Sequence, residues 1–529
     1  MPAHDRDPRA PPTGLATTLR RLTVALAGAS PRSDDPEYRA WLALRSPTPR
    51  ELDQQRARAF DLRWQPLVDV VVRRRPGDEE ALQSTRHALS SQTWRRFVLH
   101  EARGSAGLAG ALAGCSGELA LVLDAGDALA PHGLYSAVAA ADPETDLVYF
   151  DEDRQVGGRR EQPYFKPRWS PDELASHPYV GRAAVVRRGL LAEAVGAEAP
   201  ASPDHGWMLR LLPELRRVRH VADVLLHRRE DDPPEERLPA AVAVPAQPAR
   251  VAAIVPTRDR APLLAALLAS LAAHPNRAAL ELIVVDDGSR DEDARALLGQ
   301  LRQRPDCRVM TWDRPFNWSA VNNAASRQTA AEYLLFLNND VEATHAGWLD
   351  AMVDLARRPG IALVGAQLLY PDGTLQHYGV VVGMTGFAGH LLQGCRPEAP
   401  TRCGPTDVVR NCSSVTGACM LVRREVFERL GRFDERFVLC GSDVALGLRA
   451  RALGLRNAVT PRARLLHHES RTRGPTIPAS DFRVSLQVYE PWLRDGDPYY
   501  NPNLSLRDTR ARIRLAREDM LAVATRIAR

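Results

Sequence analysis

Two short polar runs in the second half of this chain each close an apolar stretch, and both have the residue types to meet a charged ligand. Asp286-Asp287-Gly288-Ser289 follows Leu282–Val285, and Asn338-Asn339-Asp340 follows Tyr333–Leu337. Each run alone has an ordinary reading as a strand-to-helix turn, with Asp as cap and Gly supplying a positive φ. On successive strands of one sheet they fit a nucleoside-diphosphate site better. One carboxylate can accept hydrogen bonds from a base or ribose, while another approaches the phosphates through a divalent metal. Hard oxygen donors favour Mg2+ or Mn2+ over zinc. Further along, Asp443 opens a helical stretch whose buried face would be Leu446, Leu448 and Leu453, a place where a carboxylate complements the helix dipole. His467 follows the strand-like Leu465-Leu466. Singly these are a helix-start acid and a strand-end histidine. Only together do they offer a base and a further metal ligand.

The surrounding pattern supplies elements able to position them. Val251–Val255 reads as a strand ended by Pro256, Leu263–Ala273 has helical periodicity, and Leu282–Val285 is the next strand. Alternating strand and helix imply an α/β fold with a parallel, doubly wound sheet that binds ligands at the carboxyl ends of its strands. Upstream, Val68–Val72 and Leu121–Leu123 read as buried strands and Ala81–Arg96 as a helix. A run dense in Pro, Ala and acidic residues, REDDPPEERLPAAVAVPAQPAR, divides the two regions near residue 245. The expected organisation is a flexible tail over 1–35, a first domain over 36–230, a linker over 231–249, a second domain over 250–475 and a helical extension over 476–529. In the last 24 residues, Ile513, Ala516, Met520, Val523 and Ile527 fall at helical spacing. Packing on the protein body and a basic helix lying on a membrane or partner are both open readings.

Composition narrows the classes. A chain of 529 residues with 44% hydrophobic content is expected to form two or three domains. Its 70 basic and 65 acidic side chains leave a net charge of +5, too thin for a nucleic-acid binder or a highly charged disordered chain. No apolar run approaches the roughly 18–20 residues that span a bilayer, and the N-terminus lacks the pattern of a secretory signal. Seven cysteines, an odd number without a C-x-x-C pair, argue against a disulfide framework and a zinc knuckle. A cytoplasmic setting is expected, with peripheral attachment at the inner face of the membrane as an option.

VAAIVPTRDR, LELIVVDDGSRDED, FNWSAVNNAA, EYLLFLNNDVE, the stretch from Gly347 to Gly383, TGACMLVRREVFERLGRFDERF and PRARLLHHES occur in that order. Over about residues 250–475 the chain resembles a family 2 glycosyltransferase of the GT-A fold. It is most similar to the bacterial rhamnosyltransferase-like enzymes of O-antigen, capsule and cell-wall polysaccharide synthesis. The resemblance implies two GT-A-like domains in tandem, a nucleotide-sugar donor, a glycan or lipid-linked acceptor and a Mn2+ or Mg2+ ion. It implies that Pro256 and Thr257 line the nucleotide pocket, that Asp286 and Asp287 contact base and ribose, and that Asn338 and Asn339 belong to the donor site. Asp340 would bind the metal and His467 would complete its shell, with Asp443 as the catalytic base of an inverting transfer. Gln376 and His377 would lie near the donor sugar or acceptor. Two positions depart from the pattern. Ser442 stands where many relatives have Glu or Asn, and Ala445 where they continue with Asp, which leaves the acceptor side less defined.

Residues 68–229 resemble a second, worn copy. LVLDAGDALAPHGLYSAV and LVYFDED carry the likeness, but Leu99-His100-Glu101-Ala102 stands in place of the acidic turn, and Asp124-Ala125-Gly126-Asp127 lacks the middle carboxylate. From Asp286 to Asp340 is 54 residues, and from His100 to Asp127 only 27. About half of the donor wall is therefore missing, including the counterpart of Phe316–Asn323. A scaffold or acceptor-binding module is expected; a weak second transferase stays open because Asp124, Asp127, Asp204 and His227 survive. Two other classes compete for the whole chain. A nucleotidyl- or phosphosugar-transferase lacks the Gly-rich loop with Lys, and a non-catalytic glycan-binding or assembly protein draws only on Ser442 and Ala445.

Overall fold

The computed structural model describes residues 32–103, 106–196, 203–231, 248–276, 279–468 and 477–529. Most of the linker run and the tail up to residue 31 lie outside the described residues, as does the side chain of Asp204.

Runs of β-branched and apolar residues form the strands. In the first domain these are β1 (Val68–Arg74), β2 (Phe97–Arg103), β3 (Leu119–Asp124), β4 (Ala128–Leu129), β5 (Leu147–Val156), β6 (Arg159–Tyr164), β7 (Ala184–Arg187) and β8 (Val218–Arg228). The second domain follows with β9 (Arg250–Thr257), β10 (Ala279–Asp286), β11 (Cys307–Thr311), β12 (Tyr333–Leu337), β13 (Val341–Ala343), β14 (Ile361–Leu369) and β15 (Leu375–His377). It continues with β16 (Val380–Val382), β17 (Ala388–His390), β18 (Arg410–Cys412), β19 (Cys419–Arg423) and β20 (Arg456–His467).

The two sheets share one plan. The first runs β2-β1-β3-β7-β5-β8-β4, and the second runs β10-β9-β12-β19-β14-β20-β13 with β11 added beyond β10. Parallel pairs fall at matching places, β1 with β2 and β3 as β9 with β10 and β12, and β5 with β8 as β14 with β20. In both, one strand (β7 or β19) inserts antiparallel between the parallel sets. The central strands are buried on both faces, so they read as continuous apolar runs rather than alternating ones.

The copies differ where a donor wall would stand. Between β10 and β12 the second domain inserts the helix Glu292–Leu301, then β11, then the helix Trp318–Ser326; between β2 and β3 the first has the helix Ala106–Ala113. The pairing also corrects the alignment of the lost acidic turn. Leu99–Ala102 lie inside β2, and because Arg74 pairs with Arg103 as Thr257 pairs with Asp286, Arg103 holds the place of Asp286.

The domains pack on each other through mixed contacts. Tyr38, Trp41, Leu42, Phe165 and Val224 of the first join the apolar core of the second. Around them Asp172 pairs with Arg456 at 2.6 Å and accepts from Asn411, while Asn501 donates to buried Asp151 at 2.9 Å. Asp35, expected in a flexible tail, caps the helix Pro36–Arg45 and pairs with Arg402.

Two helical expectations are corrected. The helix expected over Ala81–Arg96 spans Glu79–Ser90, and Trp94 beyond it is buried in the core. In the C-terminal extension the helical spacing holds only for Met520–Ile527, which Asp519 caps. Upstream, Ser505 and Arg512 share a backbone bond and Leu504 bridges Ile513, so this stretch pairs as extended chain despite its periodicity. The extension packs on the protein body. Tyr489, Leu493 and Ala524 form one cluster with Phe437, Val444, Ala445 and Leu448. Among the described residues no helix is long and apolar enough to cross a membrane.

Candidate active site

β9, β10 and β12 are parallel neighbours, so their carboxyl ends bring three loops to one edge. Thr257 ends β9, and its carbonyl accepts the Asp287 amide at 2.9 Å. Asp286 ends β10 and accepts the Ser289 amide at 2.8 Å, with Gly288 in the left-handed conformation that the Asp-Gly turn needs. The loops are laced further by Asp259, which accepts the amides of Arg290 and Asp291. Those two hydrogen bonds, largest first, hold the Asp259 carboxyl below its ordinary value. Asp287 faces Arg258 at 3.5 Å. Pro256 lies within β9 opposite Val285, one residue further into the strand than the sequence suggests.

After β12, Asn339 donates to Thr257 Oγ1 at 3.0 Å, joining two of the expected donor residues. Asp340 is almost fully buried and precedes β13, whose first residue Val341 pairs with His467 at the end of β20. The sheet therefore seats Asp340 beside His467, 127 residues away in sequence. Asp340 Oδ1 lies 3.3 Å from His467 Nε2, an ion-pair contact rather than an aligned hydrogen bond, and Asn338 Nδ2 lies 3.4 Å from the same nitrogen. Asp340 Oδ1 and His467 Nδ1 are both buried without a hydrogen bond. Burial pushes the Asp340 carboxyl up, but contact with His467 outweighs it and holds the group below its ordinary value. A buried carboxylate oxygen left unpaired beside an imidazole nitrogen fits a divalent cation, since a metal would pair both.

Asp443 stands in the first turn of the helix Ser442–Ala452. Its Oδ2 accepts the Gly417 amide at 2.9 Å and its Oδ1 the Val444 amide at 2.8 Å. Leu446 and Leu448 are buried as expected, but Leu453 is exposed, because the helix ends before it. The segment Thr416-Gly417-Ala418 is what joins the parts. Thr416 N donates to His377 Nε2, Gly417 N to Asp443, and Ala418 O accepts the Asn338 amide at 3.0 Å. Gly417 is required there, because a Cβ would stand 2.6 Å from the Trp318 ring. His377 is fully buried and touches His390 at 2.7 Å; burial and the nearby histidines hold it well below its ordinary value, hence neutral. Gln376 Oε1 and Ser442 Oγ are buried without a hydrogen bond. The sequence reading missed Gly417, His390 and Trp318. A glycine before β19 signals its role only once Trp318 is known to lie over it.

In the first domain the equivalent places are filled from within. Ala128 pairs with His227 as Val341 pairs with His467, so Asp127 corresponds to Asp340. Arg182 contacts Asp127 at 3.0 Å and Asp124 at 3.2 Å, and Arg73 also pairs with Asp124. Arg182 occupies the position of Ala418 by the pairing of β7 and β19 with their neighbours. His227 turns to Asp153 at 2.7 Å. A guanidinium thus stands where the second domain leaves room for a cation. Asp69, His100 and Cys115 also gather in this domain, but Asp69 already accepts from His100 and from the Gly117 amide.

An α/β sheet with acidic loops at its carboxyl edge, a cation-fitting Asp–His pair and a carboxylate held by the next loop is the arrangement of a nucleotide-sugar-binding GT-A domain. Residues 252–431 match the family described as glycosyl transferase family 2, and the chain carries a domain of that family. Across 92% of its length the chain is 38% identical to the O-antigen biosynthesis protein RfbC of Myxococcus xanthus, covering 44% of that protein. It is 34% identical over 78% of its length to the uncharacterized protein y4gI of Sinorhizobium fredii, covering 51%. The chain thus spans about half the length of these two relatives. Over 41% of its length it is 27% identical to N-acetylglucosaminyl-diphospho-decaprenol L-rhamnosyltransferase of Mycobacterium tuberculosis, covering 76% of that enzyme.

Proposed function

We propose that the chain is an inverting, metal-dependent glycosyltransferase that moves a sugar from a nucleotide-sugar donor to a glycan or lipid-linked acceptor in cell-surface polysaccharide synthesis. The observation that carries this reading is the junction at Gly417-Ala418, which ties Asp443 to the Asn338–Asp340 turn and so to His467. A base and a cation-binding pair thereby share one strand edge.

In this reading Thr257 and the Asp286–Asp287 turn hold the nucleoside, with Asn339 fixing the Thr257 hydroxyl. Asp340 and His467 would hold Mn2+ or Mg2+, which when bound neutralises charge on the departing diphosphate. Asp443 takes the proton of the acceptor hydroxyl as its oxygen attacks the anomeric carbon from the face opposite the nucleotide. The Gly417 amide fixes the carboxylate so that its free lone pairs face the acceptor. The first domain, its acids paired to Arg73 and Arg182, acts as scaffold or acceptor surface. The names of two relatives support a rhamnosyl donor as the first to try, and a cytoplasmic, membrane-peripheral location follows from a lipid-linked acceptor.

Calorimetry of UDP and dTDP with the full chain, with and without Mn2+, tests the reading. Nucleotide binding should require the metal, and dTDP-L-rhamnose, followed by a panel of other sugar nucleotides, should be slowly hydrolysed. Absence of metal-dependent nucleotide binding would rule the reading out.

A further inference from the structure

We infer that Asp481, on the C-terminal helix Ala479–Asp495, is a positioning residue for Asp443, and that this helix is part of the transferase unit. The inference rests on the proposed role of Asp443 as base. Asp481, like Asp443, lies beyond the residues that match the family.

The chain from Phe433 to Gly441 reaches Asp443 without forming helix or strand, so its course is set by what grips it. From one side Asp481, 1% exposed, accepts three consecutive amides: Val438 at 2.9 Å, Leu439 at 2.8 Å and Cys440 at 2.9 Å. Three backbone N–H groups converging on one point form an anion site, and here the anion is a side chain of the same molecule. Two turns along the same helix face, Tyr489 donates to the Gly441 carbonyl at 2.6 Å. From the other side the helix Trp318–Ser326 holds the same strap. Trp318 N donates to Val438 O at 2.7 Å, Ser319 Oγ to Phe437 O at 2.9 Å, and Asn317 Nδ2 to Glu435 O at 2.9 Å.

The strap ends at Gly441, whose φ of +102° turns the chain into the helix that begins with Ser442-Asp443. A Cβ at Gly441 would lie 2.8 Å from both the Phe437 ring and Tyr489 Oη, so the turn is fitted closely between the two helices. A carboxylate that must meet an acceptor hydroxyl tolerates little displacement. Loss of the three amide bonds to Asp481 would free the strap at the residues just before it. The same strap touches Trp318, which stands over Gly417, so the donor-side helix and the C-terminal helix fix Asp443 jointly.

Asp481→Asn keeps size and removes acceptor capacity toward the three amides. In the full chain, kcat for hydrolysis of dTDP-L-rhamnose, or of whichever sugar nucleotide the panel selects, should fall tenfold or more. Donor KM and Mn2+-dependent nucleotide affinity should stay within twofold. The discriminating measurement is a double-mutant cycle. On an Asp443→Asn background, Asp481→Asn should cost nothing further, whereas general destabilisation lowers kcat by the same factor in both backgrounds. Tyr489→Phe, which retains the packing and loses the bond to Gly441, should show the same pattern with a smaller loss, and it decides the matter if Asp481→Asn does not fold. Wild-type kcat in the 481 variant, or additive losses, would overturn the inference. Wild-type kcat in Asp443→Asn would instead overturn the reading of the base, and this inference with it.

Discussion

Asp340 Oδ1 is a buried carboxylate oxygen without a hydrogen bond, and such an atom carries a desolvation penalty of about 1–3 kcal/mol or more unless a cation reaches it. Asp340→Ala and His467→Ala should therefore each weaken Mn2+-dependent binding of UDP or dTDP, and unchanged calorimetric affinity in both would remove the metal assignment. Asp443 is held differently, by amides rather than by a charge, so its side chain can change without disturbing the nucleotide loops. Asp443→Asn should lower turnover by roughly 10²–10⁴ while nucleotide affinity stays near wild type. The two kinds of variant separate binding from chemistry, and a steady-state assay run beside calorimetry reads both.

At the scale of the element, the second domain keeps the helix–strand–helix insertion between β10 and β12, and the first lacks it. That insertion brings Trp318 over Gly417 and Asn317 to the strap before Asp443, so its loss removes more than a wall for the donor. The first domain answers with arginines. Arg182 is 4% exposed and lies between Asp124 and Asp127, and burial pushes the Asp127 carboxyl up against the pull of that guanidinium. Breaking one side of a buried pair typically costs about 3–5 kcal/mol. Arg182→Ala should lower stability to urea by an amount of that order and leave nucleotide affinity unaltered. The parallel comparison sets Asp124→Asn/Asp127→Asn against Asp286→Ala/Asp340→Ala in the full chain. Transfer should survive the first pair and vanish with the second; equal loss in two folded proteins would mean that both domains work.

Across the whole molecule, the domain junction buries a carboxylate that burial leaves poorly matched. Glu173 is fully buried, and both of its carboxylate oxygens lack hydrogen bonds; Arg410 stands at 3.6 Å. Burial pushes its pKa from 4.5 up to about 7, with Arg410 opposing. A carboxyl whose folded-state pKa is raised favours the protonated form, so its contribution to stability is full below pH 4.5 and is lost as pH rises through about 7. A shift of that size is worth roughly 3 kcal/mol. Glu173→Gln should flatten the fall in stability between pH 5 and pH 8, measured by urea unfolding of the full chain, and the variant should be the more stable protein at pH 8. An unchanged slope would mean that Arg410 keeps Glu173 ionised throughout.

The sequence by itself determined the strands that carry the site and the identity of its acids. Tyr333–Leu337 is apolar at every position because β12 is covered on both faces, and the turn after it must be polar because it leaves the sheet. Asp286, Asp340, Asp443 and His467 were legible for the same reason: each stands where an apolar run ends and the chain can present a charge. Local pattern was less informative where a segment's partners are remote. The periodicity of the last 24 residues promised one helix, but residues 504–513 take extended pairing because their neighbours, not their spacing, satisfy the backbone. Only the tertiary structure decided that Asp481 faces three amides about 42 residues upstream, that Gly417 lies under Trp318, and that Arg182 fills the place of a metal. Those roles depend on through-space geometry between distant segments. A buried aspartate gripping a strap and an exposed aspartate in a helix look alike along the chain, and only the fold sets what each one meets.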